Sequence, residues 1–142
     1  MPHETPPAPP DAITISDDRS RVDLDQLLGL YRETWWAKGR DRAEVERALA
    51  HSHPLITAWA GQRMVGFSRV ISDLTYRATI WDVIVRPDLQ GKGIGRLMMQ
   101  AILDHPDLRT VTMFLLLTKD RHRFYAGLGF THEKEMSMML RR

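Results

Sequence analysis

Val83-Ile84-Val85-Arg86-Pro87-Asp88-Leu89-Gln90-Gly91-Lys92-Gly93-Ile94-Gly95, continuing into Arg96-Leu97-Met98-Met99-Gln100-Ala101-Ile102-Leu103, is the stretch that decides how this chain folds. A β-branched run ends at Arg-Pro, a glycine-rich turn follows, and an amphipathic helix begins at once. Ile94, Leu97, Met98, Ala101 and Ile102 recur at i, i+3, i+4, i+7 and i+8, which places them on one helical face. The glycines at 91, 93 and 95 allow close backbone approach to a ligand and positive φ where the turn demands it. Free N–H groups at the head of the helix, together with the positive end of its dipole, face whatever occupies the turn. In outline this is a phosphate cradle. The bare alternative is a strand-to-helix turn that holds no ligand.

Spacing narrows the choice of phosphate. A P-loop needs four residues between its first glycine and Gly-Lys-Ser/Thr, but here Lys92 precedes Gly93 and no hydroxyl residue follows to hold magnesium. A dinucleotide fingerprint fails as well: counted from Gly91 its third glycine would be Arg96, and counted from Gly93 it would be Met98. What remains is Gln-x-x-Gly-x-Gly at Gln90, Gly93 and Gly95. A second segment, Val111 to Leu117, is an almost continuous apolar run, as expected of a strand buried on both faces. Thr118-Lys119-Asp120 then opens a short helical stretch, Arg121 to Ala126, which Gly127-Leu128-Gly129-Phe130 closes.

Both segments resemble those of the GCN5-related N-acetyltransferases, the GNAT family. The glycine loop is similar to that family's acetyl-CoA pyrophosphate loop. Phe124-Tyr125-Ala126-Gly127-Leu128-Gly129-Phe130 is similar to its Phe-Tyr-x-x-x-Gly-Phe signature. With a weaker pattern upstream, the resemblance runs from about Ile13 to Leu140. It implies a GNAT (acyl-CoA N-acyltransferase) fold, acetyl-CoA as cosubstrate, and a primary amine of a small molecule or peptide as acceptor. The other reading it leaves open is a catalytically inactive CoA-binding module of regulatory kind.

Composition agrees without sharpening the picture. A single chain of 142 residues supports one domain with a sizeable core. The absence of cysteine excludes disulfides, thiolate zinc sites and a cysteine nucleophile. No apolar stretch reaches membrane-spanning length, and the N-terminus, rich in Pro, does not read as a secretory signal. A cytoplasmic location is the expectation. The net charge of +2 is spread over arginines interleaved with acids, so a nucleic-acid partner is not expected. His51 and His53 lack acidic or thiol companions at ligand spacing, so no metal is inferred.

Along the chain, residues 1–11 hold five prolines and little that is apolar, and read as a disordered tail. Residues 12–142 read as a single domain. The expected order is βααβββαβαβ, an α/β architecture with a mixed six- or seven-stranded sheet flanked by helices. Helices are predicted over Val22–Trp36 and from Asp41 or Arg42 to about Ser52, strands over Leu55–Ala60, Met64–Ile71 and Thr79–Val85, and a last strand over about His132–Leu140. One helix links Thr79–Val85 to Val111–Leu117, so a right-handed crossover makes these strands parallel. Ligands of such sheets bind beyond the carboxyl ends of the strands, the edge at which the glycine loop and Thr118 leave.

The resemblance then distributes roles. It implies that the backbone of Val83, Ile84 and Val85 holds pantetheine, and that Gln90, Gly91, Lys92, Gly93, Ile94, Gly95 and Arg96 hold the pyrophosphate. Thr118 stands where the family often has a cofactor-binding Asn. Tyr125 matches the family's general acid: an ordinary phenol is protonated at neutral pH and can give its proton to a thiolate. A packing and hydrogen-bonding role beside the sulfur is the alternative. Asp82 is the candidate base, in strand parity with Ile80 and Ile84 and opposite Trp81, Val83 and Val85. The family's acid usually stands earlier, where Thr79, Ile80 and Trp81 are, so an Asp82 salt-bridged to Arg69 or Arg77 is the competing expectation. Tyr31, Trp36 and Trp81, with Tyr76, are candidates for an acceptor-facing aromatic surface, set against core packing for Tyr31 and Trp35. Met136, Met138 and Met139 read as core or as a dimer edge, which makes a homodimer one of the expectations.

Overall fold

The computed structural model describes residues 12–142; the tail expected over 1–11 lies outside the described residues. Five strands form one sheet in the order β1 (Ile13–Ser16), β2 (Leu55–Ala60), β3 (Arg63–Ser72), β4 (Arg77–Val85), β5 (Met113–Leu116). Neighbours are antiparallel except β4 and β5, which run parallel as the single-helix crossover requires. Helices α1 (Leu24–Arg32) and α2 (Arg42–Ala50) precede β2, α3 (Ile94–Leu103) joins β4 to β5, and α4 (His122–Ala126) follows β5.

Local chemistry sets these bounds. The Asp23 side chain accepts from the Gln26 N–H at the head of α1, and Asp41 from the Glu44 N–H at the head of α2, each satisfying a donor that the helix leaves free. α1 stops at Arg32, short of the predicted Trp36. The stripe that predicts Trp35 inward therefore breaks, and Trp35 is 73% exposed. In α3 the buried residues are Ile94, Met98, Met99 and Ile102, while the expected Leu97 faces solvent.

Two apolar cores lie on opposite faces of the sheet. One packs α3 and Tyr125 of α4 against Ile56, Val65, Val70, Ala78 and Ile80. The other packs Leu27, Leu30 and Tyr31 of α1 and Val45 of α2 against Leu55, Met64, Phe67 and Ile84. Each fully buried Met98, Met99 or Ile102 side chain contributes about 2 kcal/mol by leaving water.

The strand count falls below the expected six or seven because residues 131–142 form no strand. Met136, Met138, Met139 and Leu140 are exposed there, and β5 is an edge. A period-two apolar pattern says which face a strand would bury and not whether an edge receives it.

Candidate active site

β4 changes face in the middle, and this governs the site. Phe67 pairs with Ile84 and Arg69 with Trp81, so Ser68 stands opposite two residues, Asp82 and Val83. Asp82 takes φ +55 and forms a bulge. Aspartate enters the left-handed region more readily than most residues, at a cost of about 1 kcal/mol. Before the bulge Ala78 and Ile80 face the α3 core; after it Val83 and Val85 pack against that core, and Ile84 belongs to the other. The simple alternation that grouped Asp82 with both Ile80 and Ile84 is therefore broken, because an inserted residue reverses every side chain beyond it.

Asp82 points toward α1 and into a hydrogen-bonded network. Its Oδ2 accepts from Tyr31 Oη (2.9 Å), Arg40 Nη1 (2.7 Å) and Arg69 Nε (2.6 Å), and the side chain is 3% exposed. Burial by itself would raise its pKa, but hydrogen bonds from Arg40 and Arg69, with their charges, outweigh this and hold it below the usual carboxylate range. Tyr31 moves the other way: burial and the adjacent carboxylate push its phenol above the ordinary value. The acceptor-surface expectation for Tyr31 does not hold, since the ring is buried in the core and its hydroxyl is given to Asp82. Of the two partners weighed for Asp82, Arg69 is the one in contact. Arg40 carried no signal in the sequence: it lies 42 positions from Asp82 in a segment without regular structure.

The edge of the same strand toward β5 is open beyond the bulge. Pairing between β4 and β5 ends at Ile80 and Leu116, so Trp81 to Val85 have no neighbour on that side. At the strand's end the Gln90 side chain donates to the Val85 carbonyl (3.1 Å) and accepts from Arg121 Nη2 (3.2 Å), tying the glycine loop to the segment before α4. Arg121 is a second residue that the sequence did not single out. Gly91 and Gly93 take φ +77 and +88, and nothing lies within 4 Å of where a Cβ would stand on either. Gly93 caps α3, and the backbone N–H groups from Gly91 to Arg96 find no acceptor among the described residues. They lie at the positive end of the helix dipole. The Ile94 and Ile84 side chains are core, so only their backbone can serve a ligand.

Tyr125 stands on α4, which the Arg121–Gln90 hydrogen bond and the approach of Phe124 to Gly95 hold beside the loop. Its ring packs edge-on against Phe124 (4.9 Å) and Phe130 (5.8 Å). The hydroxyl makes no hydrogen bond, and since no fully buried side-chain polar atom among the described residues lacks a partner, it reaches solvent. Burial raises its pKa, offset only in part by Arg121. Thr118 spends its hydroxyl on the Arg121 N–H (3.0 Å), which supports the entry to α4. Trp81 donates its indole N–H to Thr79 (2.8 Å), while Trp36 and Tyr76 are exposed.

A parallel strand pair that parts at a bulge, with a glycine-opened helix head at the parting, is an acyl-CoA N-acyltransferase architecture. Residues 22–130 match the model of the Acetyltransferase (GNAT) family, and the chain belongs to that family of acyltransferase enzymes. It is 33% identical over 136 residues to the uncharacterized N-acetyltransferase ycf52 of Porphyra purpurea, covering 88% of this chain and 76% of that protein. Histone acetyltransferase TAP1 of Glycine max is 34% identical over 80% of this chain, which spans 54% of TAP1. Among solved structures, a GNAT-family protein from Xanthomonas campestris superposes with a TM-score of 0.81 at 38% identity, covering 92% of each chain.

Proposed function

We propose that this protein transfers an acetyl group from acetyl-CoA to a primary amine of a small molecule or a peptide. The observation that carries the reading is the run of unpartnered N–H groups from Gly91 to Arg96, opening beside the unpaired end of β4 and the free hydroxyl of Tyr125. These N–H groups suit a pyrophosphate, because peptide donors at a helix head bind anions without a metal. The unpaired backbone of Val83 to Val85 suits an extended amide-bearing arm. When bound, acetyl-CoA supplies the activated thioester.

The chain's own residues account for the rest. N–H groups of the unpaired β4 segment polarise the thioester carbonyl as an oxyanion hole does. The acceptor nitrogen forms a bond to the carbonyl carbon as the carbon–sulfur bond breaks; the nitrogen loses a proton and the sulfur gains one. Tyr125 donates toward the sulfur. Its raised pKa keeps that proton in place at neutral pH but makes full transfer less favourable, so hydrogen bonding to the developing thiolate is part of its contribution. Asp82 is not the base in this reading: its carboxylate is committed to two guanidinium groups, and the amine proton leaves to water.

The same commitment of Asp82 favours a second reading, a CoA-binding module without turnover. Calorimetric titration with acetyl-CoA, ATP and NAD, followed by an amine screen with thiol-release detection, tests both. Preference for acetyl-CoA and amine-dependent thiol release are the expected results. Preference for ATP or NAD would end the transferase reading, and turnover of any amine above background hydrolysis would end the binder reading.

A further inference from the structure

The parting between β4 and β5 has a second mouth, on the α1/α2 face of the sheet. Its rim is the segment between α1 and α2, whose Trp35 and Trp36 are 73% and 38% exposed. The Lys119 ammonium lies 5.3 Å from the centre of the Trp35 ring, so this rim reaches from the β4 bulge to the residues that follow β5. Arg40, on the same segment, lies over the rings of Tyr31 (5.0 Å) and Trp36 (5.6 Å) and gives Nη1 to Asp82.

The guanidinium is only partly used. Nε and Nη2 of Arg40 have no partner among the described residues, and the side chain is 33% exposed. The buried carboxylate at this mouth, Asp82, already receives three donors on one oxygen. Glu33 and Asp120 are exposed in the same two segments and form no ion pair with Arg40 or Lys119. An incoming cation would thus meet two cations whose nearby tryptophan faces are already engaged. A carboxylate or phosphate would meet a half-buried planar fork with free N–H groups, the geometry in which arginine binds such anions best.

Resting on the acetyl-transfer reading above, we propose that the acceptor is a primary amine bearing an anionic group, a carboxylate or a phosphate monoester. Arg40 anchors that group and Lys119 is the second cation. A lysine-rich peptide, the kind a histone tail would offer, lacks such an anion beside its amine.

The test is steady-state acetylation of amino acids and aminoalkyl phosphates, each matched with its amide or dephosphorylated partner. Spermidine and a lysine-rich peptide complete the panel. The anionic members should exceed their neutral partners in kcat/KM by about 10-fold or more, the scale of one lost charge-assisted hydrogen bond. Arg40→Lys keeps a charge opposite Asp82 but loses the fork, and Lys119→Glu reverses the second cation. Each should raise KM for the anionic amine about 10-fold or more, with the Kd for acetyl-CoA and Tm close to wild type. Preference for spermidine, the peptide or the neutral partners would overturn the acceptor class alone, as would turnover of no anionic member while acetyl-CoA binds. Failure to bind acetyl-CoA would overturn the transferase reading first and this inference with it.

Discussion

The two faces of β4 are built on opposite principles although they are a few residues apart on one strand. Toward α1, Asp82 takes hydrogen bonds from Tyr31, Arg40 and Arg69, and the Arg69 guanidinium also reaches Ser52. Toward α3, the N–H groups of Gly91 to Arg96 and the Tyr125 hydroxyl have no protein partner among the described residues. N–H groups at a helix head that have no protein partner and face an opening are available to an anionic ligand. A buried carboxylate that already receives three donors marks scaffold, even though it is a residue type that catalysis uses.

Substitutions on the two faces should therefore fail differently. The largest effect is expected at Tyr125. Tyr125→Phe removes the free hydroxyl and keeps the ring packing, and should lower kcat by roughly 10²-fold or more with the Kd for acetyl-CoA little changed. An unaltered kcat, in a reaction shown to be limited by chemistry, would move Tyr125 to the scaffold side. The wild-type pH–rate profile sharpens the same point. With its pKa raised, Tyr125 should keep its proton, so activity should not fall on the alkaline side until above about pH 10, the ordinary phenol value.

Gly93→Val comes next. It forces a β-branched residue into φ +88 and fills the space in front of the loop, so acetyl-CoA should bind about 10-fold or more weakly in calorimetry. Equal affinity would mean that the loop is a plain turn.

Asp82 inverts the pattern, with a large effect on stability and a small one on chemistry. Asp82→Ala leaves Arg40 and Arg69 without their shared anion and should cost about 3 kcal/mol in denaturant unfolding, toward the low end for a broken buried pair because Arg40 is partly solvated. Asp82→Asn should keep kcat/KM of the folded fraction within a few-fold. If Asp82 acts as the base instead, Asn will abolish activity while stability holds, and the acidic limb of the profile will vanish.

The smallest effect is the pH dependence of that stability. The Asp82 pKa is depressed in the folded state, so its contribution is complete above the ordinary carboxylate value of about 4. It is lost as pH falls through the lower folded value. Unfolding of the wild type relative to Asp82→Asn should therefore converge in acid, and a gap that widens there would contradict the network.

The sequence by itself determined the α/β class, the parallel β4–β5 pair, the strand over 55–60 and the glycine loop at the head of α3. These rest on local periodicity, turn chemistry and handed connections, which act over a few residues and need no partner. It also brought Gln90, Gly93 and Tyr125 forward, because their motifs are contiguous. Tertiary structure alone decided that Asp82 sits in a left-handed bulge, that Arg40 meets it across 42 positions, and that Gln90 and Arg121 tie the loop to α4. It also decided that residues 131–142 add no strand. A bulge reverses side-chain parity without any mark in composition, and an ion pair between distant segments depends on where two backbones cross, which no local pattern encodes.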